Sequence, residues 1–159
     1  MAEIVEFSPA WRDRLQRSST GGIRTNLHNA VICVRALNLP VFYDEFRMEL
    51  IVEKPLPWDD HVDRPWTERD DGEATLALQR MDVQTSTQTV AQAIDLVARS
   101  ITRHPVREYL SALTWDGVSR VDGWLHRHLG VQDTAYSQAV GQMWLISAVA
   151  RIMRPGCKV

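Results

Sequence analysis

The sequence has 159 residues, 45% of them hydrophobic and 24% charged, with a formal net charge of −2. This length fits one domain or one domain plus part of a second, and the composition is that of an ordinary globular chain, which excludes wholesale disorder. A near-neutral chain lacks the concentrated basic face that phosphate binding needs, so any DNA contact has to be local.

The charge is unevenly placed. Residues 1–36 carry five basic and three acidic side chains, residues 37–98 five and thirteen, and residues 99–159 eight and four, so an acidic middle separates two basic ends. The two cysteines, Cys33 and Cys157, are far apart and form no CxxC pair, which argues against a disulfide framework or a zinc site. The N-terminal MAEIVEFSPAW lacks a basic stretch followed by an apolar run, and nowhere is there a run of about 20 apolar residues. Neither secretion nor a membrane span is expected, and a cytoplasmic location is the default.

Residues 1–22 carry Arg12, Arg14 and Arg17 and end in SSTGG, which reads as a flexible arm or linker. From Ile23 to Leu37 the apolar residues Leu27, Ala30, Val31, Val34 and Leu37 recur at helical spacing, with Thr20 or Thr25 available as the cap and Pro40 as the stop. The β-formers of VFYDEFRMELIVE, residues 41–53, break near Asp44 and Glu45 and predict a two-stranded hairpin. The proline-rich KPLPWDDHVDRPW that follows is a loop. Its Asp59, Asp60, His61 and Asp63 are oxygen and nitrogen donors of the kind that hold a hard cation, but a solvated acidic loop needs no ligand, and no metal site is assigned.

Asp70 and Asp71 are placed to cap a helix running to Met81, and Ser86 or Thr87 a second one running to about Thr102, where Val90, Ile94, Val97 and Ile101 share a face. Two helices joined by a short polar turn resemble a helix-turn-helix, which gives one alternative function, a non-catalytic DNA-binding module; the neighbouring acidity counts against it. With the preceding hairpin they also suggest a winged-helix variant. His104–Pro105 breaks the chain and places Pro105 in a first helical turn, where its missing N–H costs nothing. Helices are expected over 106–113, 118–129 and 135–153. The last is apolar on nearly every side, which predicts burial by its neighbours or, as a second alternative function, a protein-interaction module. The fold expected is mainly α with a small β-hairpin, organised as an arm over 1–22, a helix, hairpin and helical-pair domain over 23–103, and a further helical segment over 104–159.

Arg99 and Arg103 are four residues apart, as on one helix face, and Arg107 starts the next helix, so these three guanidiniums are the candidate nucleic-acid contacts. The bland account pairs them with Asp95 and Glu108. In the string HPVREYLSALTWDGVSRVDGWLHRHLG, residues 104–130, Asp116–Gly117 predicts a tight turn, Arg120 lies within ion-pair reach of Asp116, and Trp115 and Trp124 are expected to pack beneath the turn. His126 and His128 flank Arg127 near a helix end, where the helix dipole favours positive charge.

This string, continued by YSQAVGQMWLISAVARIMRPGCKV, resembles the opening of the virulence-associated E domain of phage and plasmid replication proteins. The positions that carry the likeness include His104, Pro105, Tyr109, Leu110, Trp115, Asp116, Gly117, Arg120, Trp124, Arg151, Pro155, Gly156, Cys157 and Lys158. A weaker likeness extends to GGIRTNLHNAV, residues 21–31, and VFYDEF, residues 41–46. The resemblance implies a mobile-element DNA-replication ATPase, a ring-forming helicase, with ATP and magnesium in the parent protein and DNA, other replication proteins and further copies as partners. It also implies a bacterial cytoplasmic setting. The phosphate-binding loop G-x-x-x-x-G-K-[ST] that follows this region in the family does not occur among the eight glycines of this sequence. The expectation is therefore a front portion truncated before the motor, with no catalytic, cofactor or metal residue of its own.

Overall fold

The computed structural model describes residues 9–158. They fall into two compact units, Met1–Arg103 and His104–Val159.

In the first unit, α1 (Leu27–Leu37) starts at Asn26, whose side chain accepts the Asn29 N–H, one residue beyond the threonine expected as the cap. Asn38 ends α1 in the left-handed region, φ 48°, a conformation asparagine tolerates. Strands β1 (Val41–Asp44) and β2 (Glu49–Val52) form the expected antiparallel hairpin, with Val41 opposite Val52. The hairpin is not a free two-stranded wing. β3 (Arg64–Pro65) pairs with β2, and β4 (Thr102–Arg103) pairs parallel with β1, giving a four-stranded sheet in the order β3-β2-β1-β4.

Between β3 and β4 lie α2 (Glu68–Arg80) and α3 (Thr87–Arg99), the crossover that a parallel pairing requires. α3 stops three residues short of the expected Thr102. The Ser100 hydroxyl bonds back to Val97 O and the Thr102 hydroxyl to Arg99 O, which ends the helix, and the Tyr43 and Glu45 N–H groups then bond to Ile101 O and Arg103 O. Ala30, Cys33 and Val34 of α1, Ala74 and Leu78 of α2, and Val90, Ala93 and Ile94 of α3 form the core. The fold is mainly α with a small sheet.

The flexible arm expected over 1–22 is corrected for its later part; its first eight positions lie outside the described residues. Leu15 is buried in the core and Trp11 packs against it. The buried Asn29 side chain accepts the Gln16 N–H and donates to Gln16 O and Arg24 O. The SSTGG stretch is a tight turn closed by the Ser18 N–H to Gly22 O bond, so a glycine-rich string that looked like a linker reverses the chain onto α1.

The second unit contains α4 (Pro105–Ala112), α5 (Trp124–Leu129) and α6 (Ala135–Met153). α5 begins six residues later than expected, because the Asp116 carboxylate takes the Val118 N–H and the Ser119 hydroxyl donates to Asp122, local bonds that compete with helix. Thr134 and Ser137 cap α6 reciprocally. The expected burial of α6 on nearly every side is corrected: Tyr136, Met143, Trp144 and Ile146 are exposed and only Ser137 and Gly141 are buried. α4 and α5 cover part of its circumference, too little for a helix apolar all round. Among the described residues, every buried hydrophobic side chain belongs to the first unit.

Candidate functional site

The three candidate arginines are not arrayed on one helix face. Arg99 is the last residue of α3 and Arg103 sits on β4. Arg99 lies 4.1 Å from the Tyr43 ring centroid and Arg103 4.8 Å from that of Phe42. Consecutive strand side chains point to opposite sides of a sheet, so the two guanidiniums stack on opposite faces. Each also holds a carboxylate. Arg99 Nε donates to both Asp95 oxygens at 2.8 and 2.9 Å, and Arg103 donates to Glu53 Oε1 at 2.6 Å. The pairing with Asp95 is the one the sequence offered as the bland account. The carboxylate at each arginine offsets part of its charge and so lowers its pull on a phosphate.

Arg107, in the second unit, donates from Nε and Nη2 to Ile152 O at 3.4 and 3.2 Å. It supplies a cation to the last turn of α6, where carbonyls lack helical partners and the dipole is negative. His104 caps α4, its Nδ1 accepting the Arg107 N–H, and Pro105 follows at the first helical position.

The turn after α4 forms as the sequence implied, with one correction. Gly117 takes φ +85°, and Arg120 reaches Asp116 through two bonds of 2.9 and 2.6 Å. Those bonds, with the Val118 N–H, hold the Asp116 carboxyl below its ordinary range. Trp115, expected beneath this turn, is instead 79% exposed, and its indole makes only a 3.4 Å bond to Val118 O. Trp124 is the packed one of the pair. Its ring lies 5.5 Å from that of Trp144 and against Gly141 of α6. Tyr109, Arg151, Pro155, Gly156 and Lys158 are exposed, while Leu110 and Cys157 are half-buried.

A charged cluster in the first unit was missed by the sequence reading. Asp70, almost completely buried, accepts from Arg64 at 2.7 and 2.9 Å, from the Trp58 indole at 3.0 Å, and from the Thr67 N–H and hydroxyl at 2.9 and 2.7 Å. Burial raises its pKa, but the bonds from Arg64, Trp58 and Thr67 outweigh it and hold the carboxyl far below its ordinary range. Asp71 beside it accepts from the Trp66 indole, and burial pushes its pKa up. The signal was present as Thr67-x-x-Asp70, a capping-box pattern, with Thr67 and not Asp70 at the cap. Asp59 joins the cluster through Arg64 and His61, and Asp63 pairs with Arg47, so two of the loop's carboxylates are held by protein partners. Among the described residues no group of three or more His, Cys, Asp or Glu side chains is placed to hold a metal ion, and no helix is long and apolar enough to cross a membrane.

No curated protein matches the chain. Residues 110–159, from the end of α4 through α6, match the family model of the virulence-associated protein E-like domain. His104, Pro105 and Tyr109 lie just ahead of the matched segment, and the weaker likenesses at 21–31 and 41–46 lie far outside it, in the first unit. Over residues 110–159, which lie within the second unit, the chain is similar to the virulence-associated protein E-like domain.

Proposed function

We propose that this chain is an accessory portion of a mobile-element DNA-replication ATPase, contacting DNA or neighbouring protein while ATP and magnesium are handled by parts of the parent protein outside these residues. The observation that carries the reading is the family match over 110–159. Two features support it. The sequence contains no G-x-x-x-x-G-K-[ST] string to cradle phosphates. The matched segment also leaves Met143, Trp144 and Ile146 of α6 exposed, a concentration of large apolar side chains typical of surfaces that other protein covers.

DNA contact through Arg99, Arg103 and Arg107 is the finer part of this proposal. Calorimetry with Mg-ATP and fluorescence anisotropy with single-stranded and duplex DNA test it together. The chain is expected to take up no nucleotide and to bind DNA weakly, with affinity falling steeply between about 50 and 200 mM salt as counterion release is lost. Saturable micromolar ATP binding would overturn the accessory role. A triple Arg99→Ala, Arg103→Ala, Arg107→Ala variant with unchanged DNA affinity and salt slope would remove those arginines and leave protein contact as the role.

A further inference from the structure

We propose that an open groove between α1 and α3 in the first unit is the docking site for an acidic amphipathic helix of a partner protein. The groove encloses about 620 Å³ and is lined by Arg14, Leu27, His28, Val31, Ile32, Arg35 and Leu96. Along α1 the residues 27, 28, 31, 32 and 35 follow one helical face, turned away from the buried Ala30, Cys33 and Val34. Leu27 is 37% and Leu96 51% exposed, so the floor is aliphatic and open to solvent.

The rim sets the charge of the occupant. Two arginines and a histidine border the floor, and among the described residues no acidic side chain does. Elsewhere in this unit Arg47, Arg64, Arg99 and Arg103 are each held by a carboxylate; among the described residues Arg14 and Arg35, like Arg24, Arg69 and Arg80, make no ion pair or side-chain hydrogen bond, and of these five only Arg14 and Arg35 border the groove. Asp95, next to Leu96 in sequence, is engaged by Arg99. A row of aliphatic side chains flanked by carboxylates would satisfy both floor and rim.

The shape of the occupant follows from what the lining lacks. No strand edge contributes to it, so an added β-strand would find no ladder to extend. Of the lining residues only His28 carries an aromatic ring, and no phenylalanine, tyrosine or tryptophan offers nucleic-acid bases a broad stacking platform. Aliphatic anchors spaced i, i+3, i+4 and i+7 on a helix fit a groove between two helices.

The test uses two synthetic peptides of about 18 residues, long enough to be partly helical alone, with the same leucine spacing. One carries glutamates beside the leucines and the other lysines. Titrated against the full chain by fluorescence anisotropy, the glutamate peptide is expected to bind and to weaken as salt rises. Arg14→Glu with Arg35→Glu should weaken it at least about tenfold, and Leu96→Asp should do the same without removing any cation. All three positions are exposed, and circular dichroism checks that the variants keep their helix content. Failure of the glutamate peptide to bind, equal binding of the lysine peptide, or binding indifferent to these substitutions would each overturn the proposal. So would a single-stranded oligonucleotide that displaces the peptide and depends on the same two arginines, since the face would then belong to nucleic acid.

Discussion

The indole Nε1 of Trp124 lies 2.8 Å from where a Cβ on Gly141 would stand, and Leu125 side-chain carbons lie 3.1 and 3.2 Å from the same point. This approach joins α5 to α6, and only a residue without a side chain permits it. The indole nitrogen is buried there with no hydrogen-bond partner, a cost borne by the packing around it.

Gly141→Ala is therefore expected to destabilise the chain. Replacing glycine by alanine inside a helix ordinarily gains about 1 kcal/mol, but overpacking against a fixed ring costs about 1–3 kcal/mol, and here the ring is wedged between Gly141 and Trp144. A net loss of up to about 2 kcal/mol should appear in urea denaturation followed by tryptophan fluorescence. A variant more stable than the parent would show that Trp124 swings aside freely.

Trp115→Ala should do almost nothing to stability, within about 0.5 kcal/mol, because the side chain is largely exposed and its one hydrogen bond is long. A loss of about 3 kcal/mol or more in the same denaturation experiment, the usual penalty for a buried tryptophan, would mean that the ring is covered in solution.

Asp70→Asn should be severe, since it removes the carboxylate that Arg64, Trp58 and Thr67 all bond to and leaves Arg64 with Asp59 alone; the loss should lie below the penalty of about 3–5 kcal/mol for a fully unpaired buried charge. The pH dependence has a definite sign. The folded pKa of Asp70 lies below its unfolded value, so its contribution is complete above the ordinary carboxylate range and is lost as pH falls through the depressed folded value. Asp71, raised by burial, acts oppositely: its contribution is complete at low pH and is lost as pH rises through its folded value. Acid denaturation of the parent should be steeper than that of Asp70→Asn, and parallel acid limbs would show that the cluster does not govern acid stability.

The elements that periodicity and caps specify were legible in the sequence. α6 runs over the expected 135–153, and the hairpin breaks after Asp44 as the β-formers implied. What was not legible depends on partners distant in sequence. β4 exists because Thr102 and Arg103 find β1 about 60 residues earlier, so a local reading extended α3 through them. The burial of Leu15 likewise depends on Asn29 gripping the backbone of Gln16 and Arg24. Trp115 and Trp124 look alike in sequence, and only the approach to Gly141 decides which one packs. For the site, the Asp116–Arg120 pair was readable from a four-residue spacing, whereas the stacking of Arg99 and Arg103 on opposite sheet faces required the register of β4 against β1.

The two thiols should separate cleanly in reactivity. Cys33 is fully buried between the helices of the first unit, and burial pushes its pKa up to about 11, against a smaller lowering by Arg12. The thiolate is the nucleophile, so at neutral pH Cys33 is disfavoured both by access and by protonation. Cys157, half-buried near the end of the second unit, has no such enclosure. Treatment with a thiol-specific reagent and mass spectrometry of the peptides should find Cys157 modified rapidly, and Cys33 only as fast as the first unit opens. Adding urea below the unfolding midpoint should then accelerate Cys33 in step with the loss of stability while leaving Cys157 nearly unchanged. Equal rates for the two thiols without denaturant would mean that the core formed by α1, α2 and α3 is open in solution, and the groove on the outer face of α1 and α3 would lose the rigid floor on which its docking role depends.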